Sequence, residues 1–288
     1  MIQIAVIGDV HRHFNQRDVA YFNQSAHHLL LFVGDLGNYW PGEGIAVACL
    51  MAQLTKPALM IPGNHDAVTP WQLLAEIKQW PRLIHLTSWR HEKRLEQLKE
   101  ALGPVQCGGY GVHPFVWGQE TVTVITARPQ AMGGSDLSYA PYLARQFGIF
   151  SLEQSAQRLK QCVDAAASDH LIFLAHNGPT GLGDHPHAIW GCDFRPQAGD
   201  FGDEDLHVAI EYAQQQGKQP LAVIAGHMHQ RTKKGAIRPW HVERDGVHYL
   251  NAARVPRIFN RENKALHYHL TLTLQDRTVH IEECSIPS

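Results

Sequence analysis

Residues 2–11 read Ile2-Gln3-Ile4-Ala5-Val6-Ile7-Gly8-Asp9-Val10-His11, an apolar run that stops at a glycine and hands over to two side chains bearing lone pairs. The uninterrupted stretch 4–7 is too short for a helix and reads as a strand buried on both faces. The same pattern returns at 29–33 before Gly34-Asp35, and at 58–61 before Pro62-Gly63-Asn64. Helix-length stretches separate these runs, at 15–23 and 44–55. The order β-α-β-α-β predicts an α/β fold whose polar residues gather at strand ends, where open α/β sheets bind ligands.

Downstream, the sequence predicts a helix over 91–102, a glycine-rich turn at 107–111, a strand over 121–126 leading into a loop at 128–135, and a helix over 152–167. Two further apolar runs end on histidine: 171–175 before His176, and 221–225 before Gly226-His227. The tail alternates apolar and polar residues over 247–250, 266–274 and 279–283, which predicts antiparallel strands.

Composition narrows the class. The chain has 288 residues, 44% hydrophobic and 18% charged, so it can bury a core and is not disordered as a whole. A net charge of −2 offers no global basic field for a polyanion, which disfavours nucleic acid as a bulk partner. Five cysteines without a CxxC pair argue against a disulfide framework and for a reducing compartment. No stretch approaches roughly 18 uninterrupted apolar residues, and the N-terminus lacks a signal-peptide pattern, so a cytoplasmic protein without a membrane partner is expected. Histidine is the outlier, with 20 residues, and it is the commonest metal ligand.

Five strand-end motifs carry the chemistry: Gly8-Asp9-Val10-His11, Gly34-Asp35, Gly63-Asn64-His65-Asp66, His176 within Ala175-His176-Asn177-Gly178, and Gly226-His227-Met228-His229. Any one alone is ordinary turn chemistry. Together they form a mixed oxygen and nitrogen donor set that suits Mn, Fe, Zn or Ni better than all-oxygen Ca or Mg sites, and the lack of thiolate argues against a structural zinc. In an extended His227-Met228-His229 both imidazoles lie on one face.

On these motifs the sequence resembles the calcineurin-like metallophosphoesterase superfamily, whose pattern is GDxH, GD, GNH(D/E), H and GHxH. The resemblance runs from Asp9 to His229 with every motif intact. It implies a four-layer α/β/β/α sandwich of two mixed sheets, here one domain over 1–288 with a motif core at 1–255 and C-terminal strands at 265–284 completing a sheet. It also implies two divalent or trivalent metal ions: Asp9, His11 and His229 on one, Asn64, His176 and His227 on the other, with Asp35 bridging. Two cations about 3.5–4 Å apart stabilise in-line displacement at phosphorus, and a water bridging them loses a proton near neutral pH. His65 then stands as the general acid, with Asp66 expected to orient it.

Within the superfamily, Gly34-Asp35 lacks the DRG extension of phosphoprotein phosphatases, and Asp66 stands where those enzymes carry Glu. His11 disfavours the purple acid phosphatase pattern. What remains is similar to bacterial class III phosphodiesterases and small-molecule phosphatases. The stretches AMGGSDLS and NAARVPRI resemble a branch found in photosynthetic bacteria and plastids. For the substrate, Arg128 and Gly133-Gly134 in the loop 127–137 offer a guanidinium and backbone N–H groups to a phosphate, and Arg254 or Arg257 is placed to face the site. The tryptophans 71, 80, 89, 117, 190 and 240 are candidates for stacking a nucleobase. The expectation is a phosphatase or phosphodiesterase acting on a small phosphorylated substrate. A noncatalytic metal-binding scaffold and a manganese-dependent nuclease are the rivals.

Overall fold

The computed structural model describes residues 1–194, 199–275 and 278–286. Strand β1 (Ile2–Ile7) runs parallel to β2 (Leu29–Phe32), which is followed by β3 (Ala58–Met60) and β4 (Gln106–Cys107). Nearly every residue of β1, β2 and β3 is buried, because helices cover one face and the second sheet the other. The free edge of β1 is taken by the long antiparallel β12 (Lys264–Gln275), which also pairs β11 (Ile258–Arg261) and β13 (Thr278–Ile286).

The second sheet follows the order β5 (Gly111–Trp117), β6 (Glu120–Thr126), β7 (His170–Leu174), β8 (Gln219–Ala225), β10 (Val247–Asn251), β9 (His241–Arg244). Its centre is parallel and both edges are antiparallel. The fold is a four-layer α/β/β/α sandwich of two mixed sheets. Helices α2 (Pro41–Met51) and α5 (His91–Leu102) pack together on the first sheet's side, while α7 (Leu152–Ala165) packs on α8 (Glu204–Gln215) over the second.

Local chemistry sets the ends. Asn15 caps α1 (Gln16–Gln24): its side chain accepts the Arg17 N–H at 2.9 Å while Asp18 accepts the Asn15 N–H at 2.9 Å. Asp245 and Gly246 both have positive φ, 54° and 73°, the geometry of a two-residue hairpin between β9 and β10. That hairpin corrects one expectation. Residues 247–250 are antiparallel only to β9 and run parallel to β8, since a crossover separates β8 from β10. Two helices, α3 (Pro70–Lys78) and α4 (Pro81–Ser88), were not expected; each opens with proline at its first turn, where the missing N–H costs nothing. Likewise α6 (Ala140–Phe147) lay in a stretch without a clear period. No helix among the described residues is long and apolar enough to cross a membrane.

Candidate metal centre

The five motifs meet where the two sheets' strand ends face each other. Asp9 and His11 follow β1, Asp35 follows β2, Asn64 follows β3, His176 follows β7, and His227 and His229 follow β8. Three of these residues, His11, Asp35 and His227, sit in the left-handed region with φ of 41°, 52° and 63°, which costs a non-glycine residue on the order of 1–3 kcal/mol each. Such strain persists only where surrounding structure enforces it. Glycines make the close approach possible: a Cβ at Gly63 would lie 2.2 Å from Asp35 Oδ1 and 2.5 Å from His176 Cε1, and one at Gly226 would lie 2.0 Å from Asp9 Oδ1.

Two groups of donor atoms result, Asp9, His11 and His229 in one and Asp35, His176 and His227 in the other, each with its atoms within 4.8 Å of one another. Asn64 joins the second group, its Oδ1 lying 2.8 Å from both His176 Nε2 and His227 Nδ1. Asp35 Oδ2 reaches both groups, 3.7 Å from His11 Nε2 and 3.6 Å from His176 Nε2. The outer nitrogens are pinned by backbone. His176 Nδ1–H donates to the Val33 carbonyl at 2.7 Å and His11 Nδ1–H to the Gly37 carbonyl at 3.1 Å, so both Nε2 lone pairs face inward. His11 Nε2 and His229 Nε2 face each other at 3.2 Å. Lone pairs converging on shared points are the arrangement a cation satisfies, so the residues present fit a two-metal centre.

Electrostatics follow from burial. Burial pushes the Asp9 and Asp35 carboxyls up, but neighbouring imidazoles outweigh it, His229 and His176 for Asp9 and chiefly His176 for Asp35, and hold both below the usual carboxylate range. Burial pushes the His227 imidazole down to about 3, with His176 adding to the effect, which keeps it neutral as a ligand must be. His176 goes the other way: burial opposes its charge, yet Asp35 and Asp9 together raise it.

His65 lies beside the two groups, its ring 5.2 Å from that of His11. The expectation that Asp66 orients it is corrected. The Asp66 carboxylate accepts three backbone N–H groups, from Asp35, Leu36 and Gly63, each at 2.8 Å, and so clamps the two loops together. Burial pushes Asp66 up to about 7, and the Asp35 charge adds to this while the backbone donors oppose it. The His65 ring is held by the Asn38 carbonyl, which takes its Nδ1–H.

Arg128 and Arg254 are also placed differently from the sequence reading. Arg128 is 1% exposed and spends its guanidinium on Asp203 and Asp205, at 2.7 and 2.8 Å, so it is a buried charge cluster and not a phosphate fork. Arg254 lies over the Phe259 ring, 3.9 Å from its centroid, and lines neither cavity at the site; Arg257 is buried on Asp18 at 2.9 Å. Gly134 N–H donates to the Phe201 carbonyl, and a Cβ at Gly133 would lie 1.8 Å from that oxygen, so the two glycines serve a close loop contact. Of the six tryptophans named above, Trp190 is buried, Trp240 partly so, Trp71, Trp80, Trp89 and Trp117 are exposed, and none lines a cavity at the site.

Two joined cavities open on the centre. The smaller, about 220 Å³, is lined by Asp35, His229, Arg231 and Lys233, and the larger, about 610 Å³, shares Asn64, His65, Phe194, His227 and Lys233 with it. Arg231, Lys233, Phe194, Phe201 and Glu76 were not anticipated as lining residues. The basic run Arg231-Thr232-Lys233-Lys234, one residue after the fifth motif, was a usable signal for the two cations; nothing local marks the others.

Residues 2–231 match the family model for calcineurin-like phosphoesterases. Among solved structures, one chain superposes with a TM-score of 0.52 at 11% identity, covering 98% of each chain. Protein TT1561 of Thermus thermophilus superposes with a TM-score of 0.54 at 12% identity, over 99% of this chain and 98% of that one. The sulfate thiohydrolase SoxB of Thermus thermophilus, solved with glycerol, has a TM-score of 0.43 at 14% identity, over 90% of this chain and 38% of its own. At such identities the first two likenesses speak for the fold alone. No curated relative matches the chain.

Proposed function

Because the chain belongs to the calcineurin-like phosphoesterase family, we propose that it hydrolyses a small phosphomonoester or phosphodiester at a two-metal centre held by Asp9, His11, Asp35, Asn64, His176, His227 and His229. The observation that carries the reading is Asp35, whose Oδ2 stands between two converging donor groups on the wall of a cavity. When bound, two cations neutralise phosphoryl oxygens and acidify water. Arg231 and Lys233 flank the smaller cavity and attract the phosphate. Asp35 Oδ1 accepts the His65 N–H at 2.8 Å, which fixes the ligand loop and the acid relative to each other. With its Nδ1–H on the Asn38 carbonyl, His65 would give an Nε2 proton to the leaving oxygen as the P–O ester bond breaks, while hydroxide, formed from water that has lost its other proton to solvent, joins phosphorus.

The test is hydrolysis of p-nitrophenyl phosphate and bis-p-nitrophenyl phosphate by metal-stripped protein, with Mn, Fe, Ni, Zn or Mg restored separately. Metal-dependent turnover that disappears in Asp35→Asn is the expected result, and the ratio of the two substrates sorts monoesterase from diesterase. Absence of turnover with two ions bound per chain would move the reading to a noncatalytic scaffold.

A further inference from the structure

Apolar surface left in water is concentrated on one pair of packed helices, α3 and α4. Trp71 lies in the first turn of α3, Trp80 joins α3 to α4, Leu86 lies in α4 and Trp89 caps its end. Trp71, Leu86 and Trp89 are 68–69% exposed and Trp80 49%. Elsewhere among the described residues, exposed large apolar side chains stand singly or as neighbours in sequence, as at 39–40 and 116–117. On α4, the exposed Arg82, His85, Leu86 and Trp89 follow the i, i+3, i+4, i+7 spacing of one helix face, while Leu83, Ile84 and Thr87 are half-buried and Ser88 is buried. The face turned to water is thus the one that carries Leu86 and Trp89.

The exposed charges on this pair of helices have one sign. Lys78, Arg82 and Arg90 are exposed, whereas Glu76, the one acid between positions 70 and 90, is buried. The next acid along the chain, Glu92, is ion-paired with Arg145 of α6. A chain of net charge −2 therefore sets three surface cations among its exposed tryptophans. The Arg90 guanidinium lies 4.0 Å from the centroid of the Trp89 ring, so cation and ring share one place on the surface.

That charge pattern selects the occupant. A second copy related by a two-fold axis would set Lys78, Arg82 and Arg90 against themselves. The headgroup layer of an anionic bilayer accepts both features at once, because tryptophan and leucine reach the acyl boundary while lysine and arginine meet lipid phosphates. We propose that the outer face of α3 and α4 seats the protein on the surface of an anionic bilayer, with Leu86 and Trp89 in the interfacial layer and Lys78, Arg82 and Arg90 on the phosphates. No helix among the described residues is long and apolar enough to cross a membrane, and an interfacial contact requires none. Ile77 and Gln79, at the end of α3, line the larger cavity, which therefore opens beside the docked face. The contact is independent of the chemistry at the metal centre.

The experiment is cosedimentation of the whole, metal-loaded chain with vesicles of phosphatidylcholine alone or with one-third phosphatidylglycerol, over a series of salt concentrations. Binding to the anionic vesicles that weakens with salt is expected, together with a blue shift of tryptophan emission. A cation at an anionic lipid surface is worth about fivefold in partitioning, so the Arg82→Gln/Arg90→Gln double variant is expected to bind more weakly by a factor on the order of ten or more. Leu86→Ser/Trp89→Ser is expected to lose at least about tenfold through the apolar contact. All four positions are exposed, and an unchanged melting temperature checks that both variants fold. Val116→Ser, at an equally exposed apolar position on β5, is expected to bind as the parent does. Absence of binding to anionic vesicles at low salt overturns the proposal, and so does binding that neither double variant weakens. A dimer in solution that Leu86→Ser/Trp89→Ser dissociates, without vesicle binding, overturns it in favour of a second copy.

Discussion

Two of the histidine clusters among the described residues behave differently. At the strand ends, His11, His176, His227 and His229 turn ring nitrogens toward shared points, and the outer nitrogens of His11 and His176 are pinned by backbone carbonyls. Between α1 and β12, His27, His267 and His269 are all buried but share no focus. His27 bonds to Ser25 and Thr271, His267 Nδ1 lies 3.0 Å from Asp18, and both ring nitrogens of His269 have no partner. Histidine content therefore says little until the backbone that aims each ring is known. Orientation by a fixed carbonyl, with lone pairs left facing one another, separates a ligand from a packed ring.

Breaking the first cluster has the largest expected effect. Asp35→Asn removes the charge common to both donor groups, and kcat/KM should fall on the order of 10³-fold or more, about 4 kcal/mol of transition-state stabilisation, with bound metal measured alongside by elemental analysis. Retention of wild-type activity would show that Asp35 does not link the two groups.

Next comes a third buried polar cluster, built neither for metal nor for packing alone. Arg128→Met leaves Asp203 and Asp205 inside without their cation, and unfolding should cost about 3–5 kcal/mol less, read as a denaturant midpoint at constant slope. A loss under about 1 kcal/mol would mean that water reaches these acids.

Acid sharpens the contrast between the histidine clusters. Burial pushes His27 down to about 4 and His269 down to about 3, with neighbouring His28 and His27 respectively adding to it, while the unfolded chain holds them near 6.5. The unfolded state thus binds protons that the folded state refuses. Stability from these groups is fully present above about pH 6.5 and is lost as pH falls through about 4 and then about 3. A melting temperature flat from pH 6.5 down to 4 would sink this account. The smallest change is His269→Phe: at pH 7.5 it should move stability by under about 1 kcal/mol, since it removes two unpartnered nitrogens from an aromatic nest, and at pH 5 it should lose less than the parent chain.

The parts of the fold legible in the sequence are those where periodicity and turn chemistry coincide. Residues 91–102 form a helix to the residue, and the strand ends at Asp9, Asp35, Asn64, His176 and His227 stand where apolar runs meet glycine or histidine. What was not legible depends on partners distant in the chain. Arg128 reads as a free guanidinium until Asp203 and Asp205, 75 and 77 positions later, fold onto it. The group holding His65 is a main-chain carbonyl, which no residue type announces. Phe194, Phe201 and Glu76 come from a loop, a loop and a helix that share no motif, so only the folded chain brings them to one cavity.

The left-handed residues at His11, Asp35 and His227, and the carboxyl of Asp66 buried beside them and pushed up to about 7, mean that the folded chain without ions is held back by its own site. An ion that binds the folded chain alone offsets that burden, and mass action then raises the melting temperature by an amount set by its concentration over its Kd. Heated in a graded series of metal solutions, the protein becomes its own indicator: the ordering of melting curves ranks the cations by affinity without a substrate, and a curve that rises in two stages would resolve the two donor groups as separate compartments of different strength.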